Sequence, residues 1–180
     1  SRVVQRQGRK RAFRASLVGY TNAGKSSILR APSGSDDVFV ENRLFATLDP
    51  LTREVDLGDA SVLVTDTVGF IRKLPHHLVA SFRATLEETA EAHLLLHVVD
   101  ASHRGWEEQR MVVEQVLDEL GAAERERLLV FNKIDLLGEE ELAALQERIG
   151  RLVRDAVFVS ATWEGGADPL KRALRAGVPA

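Results

Sequence analysis

The 180 residues contain no cysteine. Disulfides and thiolate-held zinc are therefore excluded. No apolar run approaches the ~20 residues that a membrane-crossing helix needs, and no signal peptide opens the chain. The first residue is Ser1 rather than Met, as expected of a processed or excised fragment. Internal repeats and low-complexity segments are also missing. These absences leave a cytoplasmic protein as the plain reading, with a mitochondrial matrix location still open. One compact domain is the default at this length, and the apolar fraction suffices for a single core.

Acid is missing from one end. Residues 1–14 hold Arg2, Arg6, Arg9, Lys10, Arg11 and Arg14 and no Asp or Glu. The remainder carries 18 Lys and Arg against 27 Asp and Glu, so the overall −3 conceals a basic arm on a body of net −9. Such an arm suits RNA phosphates. A solvated linker or the end of an upstream domain fits it equally well. The acidic body confines any RNA contact to specific patches.

Gly19-Tyr20-Thr21-Asn22-Ala23-Gly24-Lys25-Ser26 reads G-x-x-x-x-G-K-S directly after the apolar run Phe13 to Val18. This is the phosphate-binding loop pattern in the strand–loop–helix context that gives it meaning. Gly19 and Gly24 let the chain turn tightly, with no side chain blocking the backbone N–H groups. Those groups and the start of the next helix form an anion site. Lys25 would reach the β- and γ-phosphates, and Ser26 would offer its hydroxyl to Mg²⁺.

Asn132-Lys133-Ile134-Asp135 follows the apolar run Leu128 to Phe131, at the end of a predicted buried strand. A carboxylate there accepts two hydrogen bonds from guanine, from N1–H and the exocyclic amine. Adenine offers no such pair on that edge, so the site rejects it. Asn132 would contact the other side of the base and tie this loop to the phosphate loop, while the Lys133 stem covers a ring face. Two shorter pieces complete the set. Asp66-Thr67-Val68-Gly69 follows the strand Ser61 to Thr65, placing a carboxylate where Mg²⁺ would be held, usually through water, and the Gly69 N–H near a γ-phosphate. Ser160-Ala161 follows Val157-Phe158-Val159, and the Ala161 N–H can donate to guanine O6. In this order the four pieces resemble the Ras-like GTPase superfamily.

Elsewhere strand and helix patterns alternate. Strands are predicted over Ala12–Val18, Arg53–Leu57, Ser61–Asp66, Leu94–Asp100, Leu128–Asn132 and Ala156–Ser160. Continuous apolar runs suit parallel strands covered on both faces. Only Gly58-Asp59-Ala60 separates the second and third strands, so they read as an antiparallel hairpin. Helical stripes run through Leu78, Phe82 and Leu86 after Pro75, through Val113, Val116, Leu117 and Leu120 before Gly121, and through Leu142, Leu145 and Ile149 before Gly150. The expected fold is a three-layer α/β domain of the Ras-like P-loop GTPase type. Its six-stranded sheet is mostly parallel, with one antiparallel edge hairpin and the ligand at the strands' carboxyl ends. Residues 12–177 form this domain; 1–11 are the basic linker or the end of a missing domain, and 178–180 a tail.

The phosphate loop, Leu44-Phe45-Ala46-Thr47-Leu48-Asp49-Pro50 and Asp66-Thr67-Val68-Gly69-Phe70-Ile71 resemble the GTPase domain of the HflX family. Leu74-Pro75-His76, Ser81-Phe82-Arg83-Ala84-Thr85-Leu86-Glu87-Glu88 and His97-Val98-Val99-Asp100-Ala101-Ser102 extend the match. HflX belongs to the TrmE-Era-Obg branch of the translation-factor-related GTPases. The resemblance implies binding to the large ribosomal subunit, through rRNA and ribosomal protein, and a role in splitting or rescuing stalled ribosomes. It also implies a missing N-terminal domain. A monomer that binds no membrane and no DNA is expected.

Thr47 matches the family's switch I threonine, which closes on Mg²⁺ and the γ-phosphate; Thr52, a nearby rival, lacks the Phe-Ala-Thr-Leu context. The nucleotide contacts expected are thus Asn22, Ala23, Gly24, Lys25, Ser26 and Ser27 with Asn132, Lys133, Asp135, Ser160 and Ala161. Mg²⁺ falls to Ser26, Thr47 and Asp66, and catalysis of GTP hydrolysis to GDP to Lys25, Thr47 and Gly69. In relatives of this branch an asparagine at the Asn22 position can ligate K⁺; simple bracing of switch I is an equal reading. Pro32 departs from the family pattern and should end the preceding helix early.

Phe70 stands where many Ras-like enzymes carry a water-orienting glutamine, and a phenylalanine can only pack. Slow intrinsic hydrolysis follows, and a nucleotide-gated docking module with negligible hydrolysis is the alternative. Arg53 and Arg72, near the switches, read as solvated arginines. His76 and His77 read as solvated first-turn residues, His97 as a hydrogen-bonded core histidine, and Trp106 and Trp163 as packing residues at helix starts.

Overall fold

The computed structural model describes residues 13–20, 23–25, 27–28, 51–58, 60–66, 92–119, 121–153 and 155–177. The apolar runs form the strands β1 (Phe13–Gly19), β2 (Leu51–Asp56), β3 (Ser61–Asp66), β4 (Leu94–Asp100), β5 (Arg127–Asn132) and β6 (Ala156–Phe158). The helices are α1 (Trp106–Glu119), α2 (Glu139–Leu152) and α3 (Asp168–Gly177). One six-stranded sheet runs β2-β3-β1-β4-β5-β6. Only β2–β3 is antiparallel; the other neighbours are parallel. The helix expected after Pro75 and the segment around Pro32 lie outside the described residues.

β4 explains the layering. Its seven residues are all buried, as a central parallel strand requires. Leu94, Leu96 and Val98 share one face with Leu17 and Val130 and pack under Leu170 and Leu174 of α3. Leu95 faces the other way, onto Val113 and Leu117 of α1. Val99 on that same side joins Phe131 and Ile149 of α2. α1 and α2 thus cover one face and α3 the other, giving the expected three layers. The strand order changes direction at β1, which puts the β1 carboxyl end at the crevice where open α/β sheets bind ligands. No helix among the described residues is long and apolar enough to cross a membrane.

Gly121 ends α1 as predicted, with φ +77 and the Ala122 N–H donating back to Leu117 O at 2.8 Å. Gly150 does not end α2, which runs on to Leu152; a lone glycine is tolerated inside a helix. β6 stops at Phe158, two residues early, because the Ser160 N–H turns to Gly166 O. Trp106 packs edge-on against Phe131. Trp163 does not pack: it is 51% exposed. Arg53 is half-buried on β2 rather than solvated.

His97 is the buried core histidine anticipated. Its Nδ1 lies 3.1 Å from Glu114 Oε1, and Arg127 Nη1 donates to Glu114 Oε2. Burial pushes the imidazole below its ordinary pKa of 6.5, against the pull of Glu114 and with help from the charges of Arg110 and Arg127. Below that pH the unfolded chain binds a proton here that the folded chain refuses, so stability falls as pH drops toward the folded-state pKa. Glu114, held below 4.5 chiefly by the His97 hydrogen bond, titrates beneath this window. Urea unfolding at about pH 7.5 and about pH 5.5 should therefore show a larger loss for wild type than for His97→Gln. Equal losses would refute the linkage.

Candidate nucleotide site

The phosphate loop leaves β1 at Gly19. A Cβ at Gly19 would stand 2.5 Å from Val98 O, so the β1 and β4 backbones approach too closely for any side chain. The Ala23 N–H turns back to Tyr20 O at 3.0 Å, and the next helix opens with Ile28 N–H donating to Gly24 O at 3.2 Å. Gly24 has φ +82, and a Cβ there would meet Asn132 Nδ2 at 2.5 Å. Glycine is thus demanded by both backbone conformation and space. Lys25 is buried, and its Nζ lies 4.0 Å from Asp66 Oδ1. Burial lowers the ammonium pKa, and Asp66 offsets this only in part. Ala23 is buried beside Lys25, whereas Ser27 is exposed on the helix. Asn22, Ser26, Thr47 and Gly69 lie outside the described residues.

The base-reading loop is joined to the phosphate loop through Asn132. Its Nδ2 donates to Ala23 O at 2.9 Å, 109 residues away in sequence. Asn132 is 1% exposed, and its Oδ1 has no hydrogen-bond partner. A buried acceptor left open beside a loop of donors is unusual in a finished site. Lys133 follows in the left-handed region, φ 64, with its Nζ 3.2 Å from Asp100 Oδ2. The short 3₁₀ turn Ile134–Leu136 then presents Asp135.

Ser160 fixes that carboxylate. Its Oγ receives the Thr162 and Trp163 N–H groups, each at 3.3 Å, and donates to Asp135 Oδ1 at 2.8 Å. One Asp135 oxygen is thereby oriented by the protein. Gly166 closes the same loop: a Cβ there would lie 2.2 Å from Ser160 O. Ala161 follows Ser160 half-buried on this loop. The described members of the predicted set therefore converge at the carboxyl ends of β1, β3, β5 and β6. Two cavities, of about 520 and 360 Å³, lie at the opposite end of the sheet, by the hairpin turn and beneath Phe13 and Gly177.

Asp66 ends β3, in register with Leu17 of β1 and next to Lys25. A nearly buried carboxylate at this place fits Mg²⁺, a hard cation that takes few protein oxygens and completes its shell with water and phosphate. Among the described residues no cluster of three or more His, Cys, Asp or Glu could hold a metal alone.

Residues 14–133, two thirds of the chain, match the family described as 50S ribosome-binding GTPase. The chain belongs to that family. Within this GTPase family its relatives carry the HflX name, as the motifs implied. GTPase HflX of Caldanaerobacter subterraneus subsp. tengcongensis is 54% identical over 139 residues, covering 76% of this chain and 32% of the relative. GTPase HflX of Magnetococcus marinus is 47% identical over 181 residues, covering 99% of this chain and 41% of the relative. The chain thus spans 32% and 41% of these two relatives' length. A GTP-binding protein from Sulfolobus solfataricus, solved with GDP, superposes with a TM-score of 0.73 at 24% identity, over 97% of this chain and 55% of that one. At that identity the likeness shows the fold alone.

Two parts of the site were not singled out from sequence. Asp100 and Ser102 stand at the end of β4 beside Lys133. The signal was available, since a carboxylate ending an apolar strand parallels Asp66 on β3. The Thr162–Gly166 turn that orients Ser160 had no comparable signal. Thr52, the rival to Thr47, bonds Thr65 Oγ1 at 2.9 Å across the β2–β3 pair.

Proposed function

We propose that this chain is the GTP-binding and GTP-hydrolysing domain of a ribosome-associated GTPase that acts on the large subunit in splitting or rescue. The observation that carries this reading is the joined pair of loops. Asn132 ties the base loop to the phosphate loop, and Ser160 aims Asp135. Asp135 would read guanine N1–H and the exocyclic amine, Ala161 would donate to O6, and the Lys133 stem would cover a ring face. Ala23, Gly24, Lys25, Ser26, Ser27 and Asn22 would hold the phosphates.

Hydrolysis requires water to attack the γ-phosphorus in line while the bond to the β-bridging oxygen breaks, giving GDP and phosphate. Lys25 would set positive charge against the β- and γ-oxygens, and Gly69 a backbone N–H against the γ-phosphate. Asp66, Ser26 and Thr47 would hold Mg²⁺, which when bound neutralises phosphate charge. Phe70 cannot orient water, so intrinsic turnover should be slow and the ribosome should supply what is missing. A cytoplasmic, monomeric protein that binds neither membrane nor DNA accords with this role.

Single-turnover GTP hydrolysis with and without large ribosomal subunits tests the proposal. Acceleration by the subunits is expected. GTP-dependent docking without acceleration would instead make the chain a nucleotide-gated binding module. Asn22 poses a separate question, since either K⁺ ligation or bracing of switch I suits its amide. Turnover that is faster in KCl than in NaCl at equal ionic strength, with the difference lost in Asn22→Gly, would establish the cation; no difference would leave the brace.

A further inference from the structure

Lys133 is the non-glycine residue with positive φ among the described residues, at φ 64 and ψ 32. A long side chain in this conformation needs surroundings that hold it there. The backbone supplies part: Ile134 N–H donates to Val159 O at 3.3 Å, and Leu136 N–H to Lys133 O at 3.0 Å. The ammonium supplies the rest by reaching β4. Asp100 is paired in register with Asn132, so the β4 end lies directly beside the base loop.

Asp100 is a constructed anchor. It is 8% exposed. Its Oδ1 accepts two hydrogen bonds from Ser102, the N–H at 2.9 Å and the hydroxyl at 2.5 Å. Its Oδ2 faces Lys133 Nζ at 3.2 Å. Both oxygens are therefore committed, Oδ1 to Ser102 and Oδ2 to Lys133. Between anchor and backbone the Lys133 stem crosses the phosphate loop, its Cε 3.5 Å from where a Gly24 Cβ would stand.

We infer that Asp100, oriented by Ser102, is a positioning residue for guanine nucleotide binding: it holds the Lys133 ammonium so that the lysine stem forms one wall of the base site. The inference rests on the nucleotide reading proposed above and extends it to a third strand. Burial opposes the Asp100 charge, but the two Ser102 hydrogen bonds and the Lys133 ammonium outweigh it and keep the carboxyl below its ordinary range. The anchor thus stays ionised at neutral pH. An asparagine at this place has one acceptor oxygen and cannot serve both Ser102 and Lys133.

A double-mutant cycle on GDP affinity tests this, using wild type, Asp100→Asn, Lys133→Met and the double variant. Met keeps most of the stem and removes the charge. Each single change should weaken GDP about tenfold, the scale of one charge-assisted hydrogen bond in a partly exposed pair. The double variant should bind about as the weaker single does, because Asp100 acts only through Lys133. Ser102→Ala gives a milder probe should Asp100→Asn fold poorly. It should weaken GDP by a few-fold in wild type and leave the Lys133→Met background unchanged. Losses that multiply, or an unaltered Asp100→Asn, overturn the inference while the nucleotide reading stands. Wild type that binds no GDP overturns that reading, and the inference with it.

Discussion

Asp135→Asn is expected to abolish tight guanine binding and to open the site to xanthine nucleotides. The carboxylate would accept from guanine N1–H and from its exocyclic amine. Each hydrogen bond to a charged group is worth about 1.5–3 kcal/mol, so losing both weakens GDP by about 10² to 10⁴-fold. The orientation of the new amide follows from Ser160. That hydroxyl receives the Thr162 and Trp163 N–H groups, and because a carboxylate oxygen can only accept, its proton goes to the Asp135 oxygen at 2.8 Å rather than to the Thr162 hydroxyl at 3.0 Å. In the variant the amide oxygen should keep this partner and turn its NH₂ toward the base. There it opposes the exocyclic amine of guanine but can donate to the C2 carbonyl that xanthine carries in its place. Competition between GDP and xanthosine diphosphate gives the measurement. A variant that retains GDP and gains no xanthosine diphosphate would show that Asp135 does not face the base.

The parts of the fold that sequence revealed are those governed by local rules. β3 and β4 have the predicted limits because burial pattern and strand length coincide there. The ends governed by tertiary pairing were less visible. β1 continues to Gly19 because that glycine still pairs with Val98, a fact invisible in the phosphate-loop pattern. β2 begins at Leu51 because Leu51 and Thr52 are opposite Asp66 and Thr65 in the hairpin register. β6 is short because its last backbone groups serve the loop that orients Ser160.

The site divides along the same line. Lys25, Asn132 and Asp135 stand in spaced motifs whose chemistry can be stated residue by residue. Ser160-Ala161 carries almost no information alone and gains its meaning from order and strand context. Asp100 escaped because its partner, Lys133, is adjacent only through the β4–β5 register. The left-handed backbone at Lys133 likewise has no mark in the sequence, since lysine is an ordinary residue in a loop. Conversely, Trp163 was expected to pack because large aromatics usually do; the tight turn closed by Gly166 instead leaves its ring exposed.

Lys25→Ala should separate binding from stability. The side chain is 7% exposed, and burial holds its pKa down despite Asp66 at 4.0 Å. Without nucleotide, the cost of burying the ammonium and the attraction of the buried Asp66 carboxylate partly offset, so its removal should cost the fold less than it costs nucleotide binding. With nucleotide, the same charge faces several phosphate oxygens in a largely dry site. Truncating a buried hydrogen-bonded charge costs about 2–5 kcal/mol, which is a loss of about 30 to several thousand-fold in GTP affinity or turnover. Phosphate also drives the lysine pKa back up, so GTP binding should take up a proton once pH exceeds the lowered pKa of the nucleotide-free state. Affinity should accordingly decline as pH rises through that range, and the decline should vanish in Lys25→Ala. Phe70→Ala, by contrast, has only packing to lose and should change intrinsic turnover far less. Titration calorimetry in buffers of different ionisation enthalpy measures the proton, and single-turnover hydrolysis compares the two variants. Equal losses in Lys25→Ala and Phe70→Ala would give Phe70 a chemical role. A pH dependence unchanged in Lys25→Ala would show that another group carries the proton.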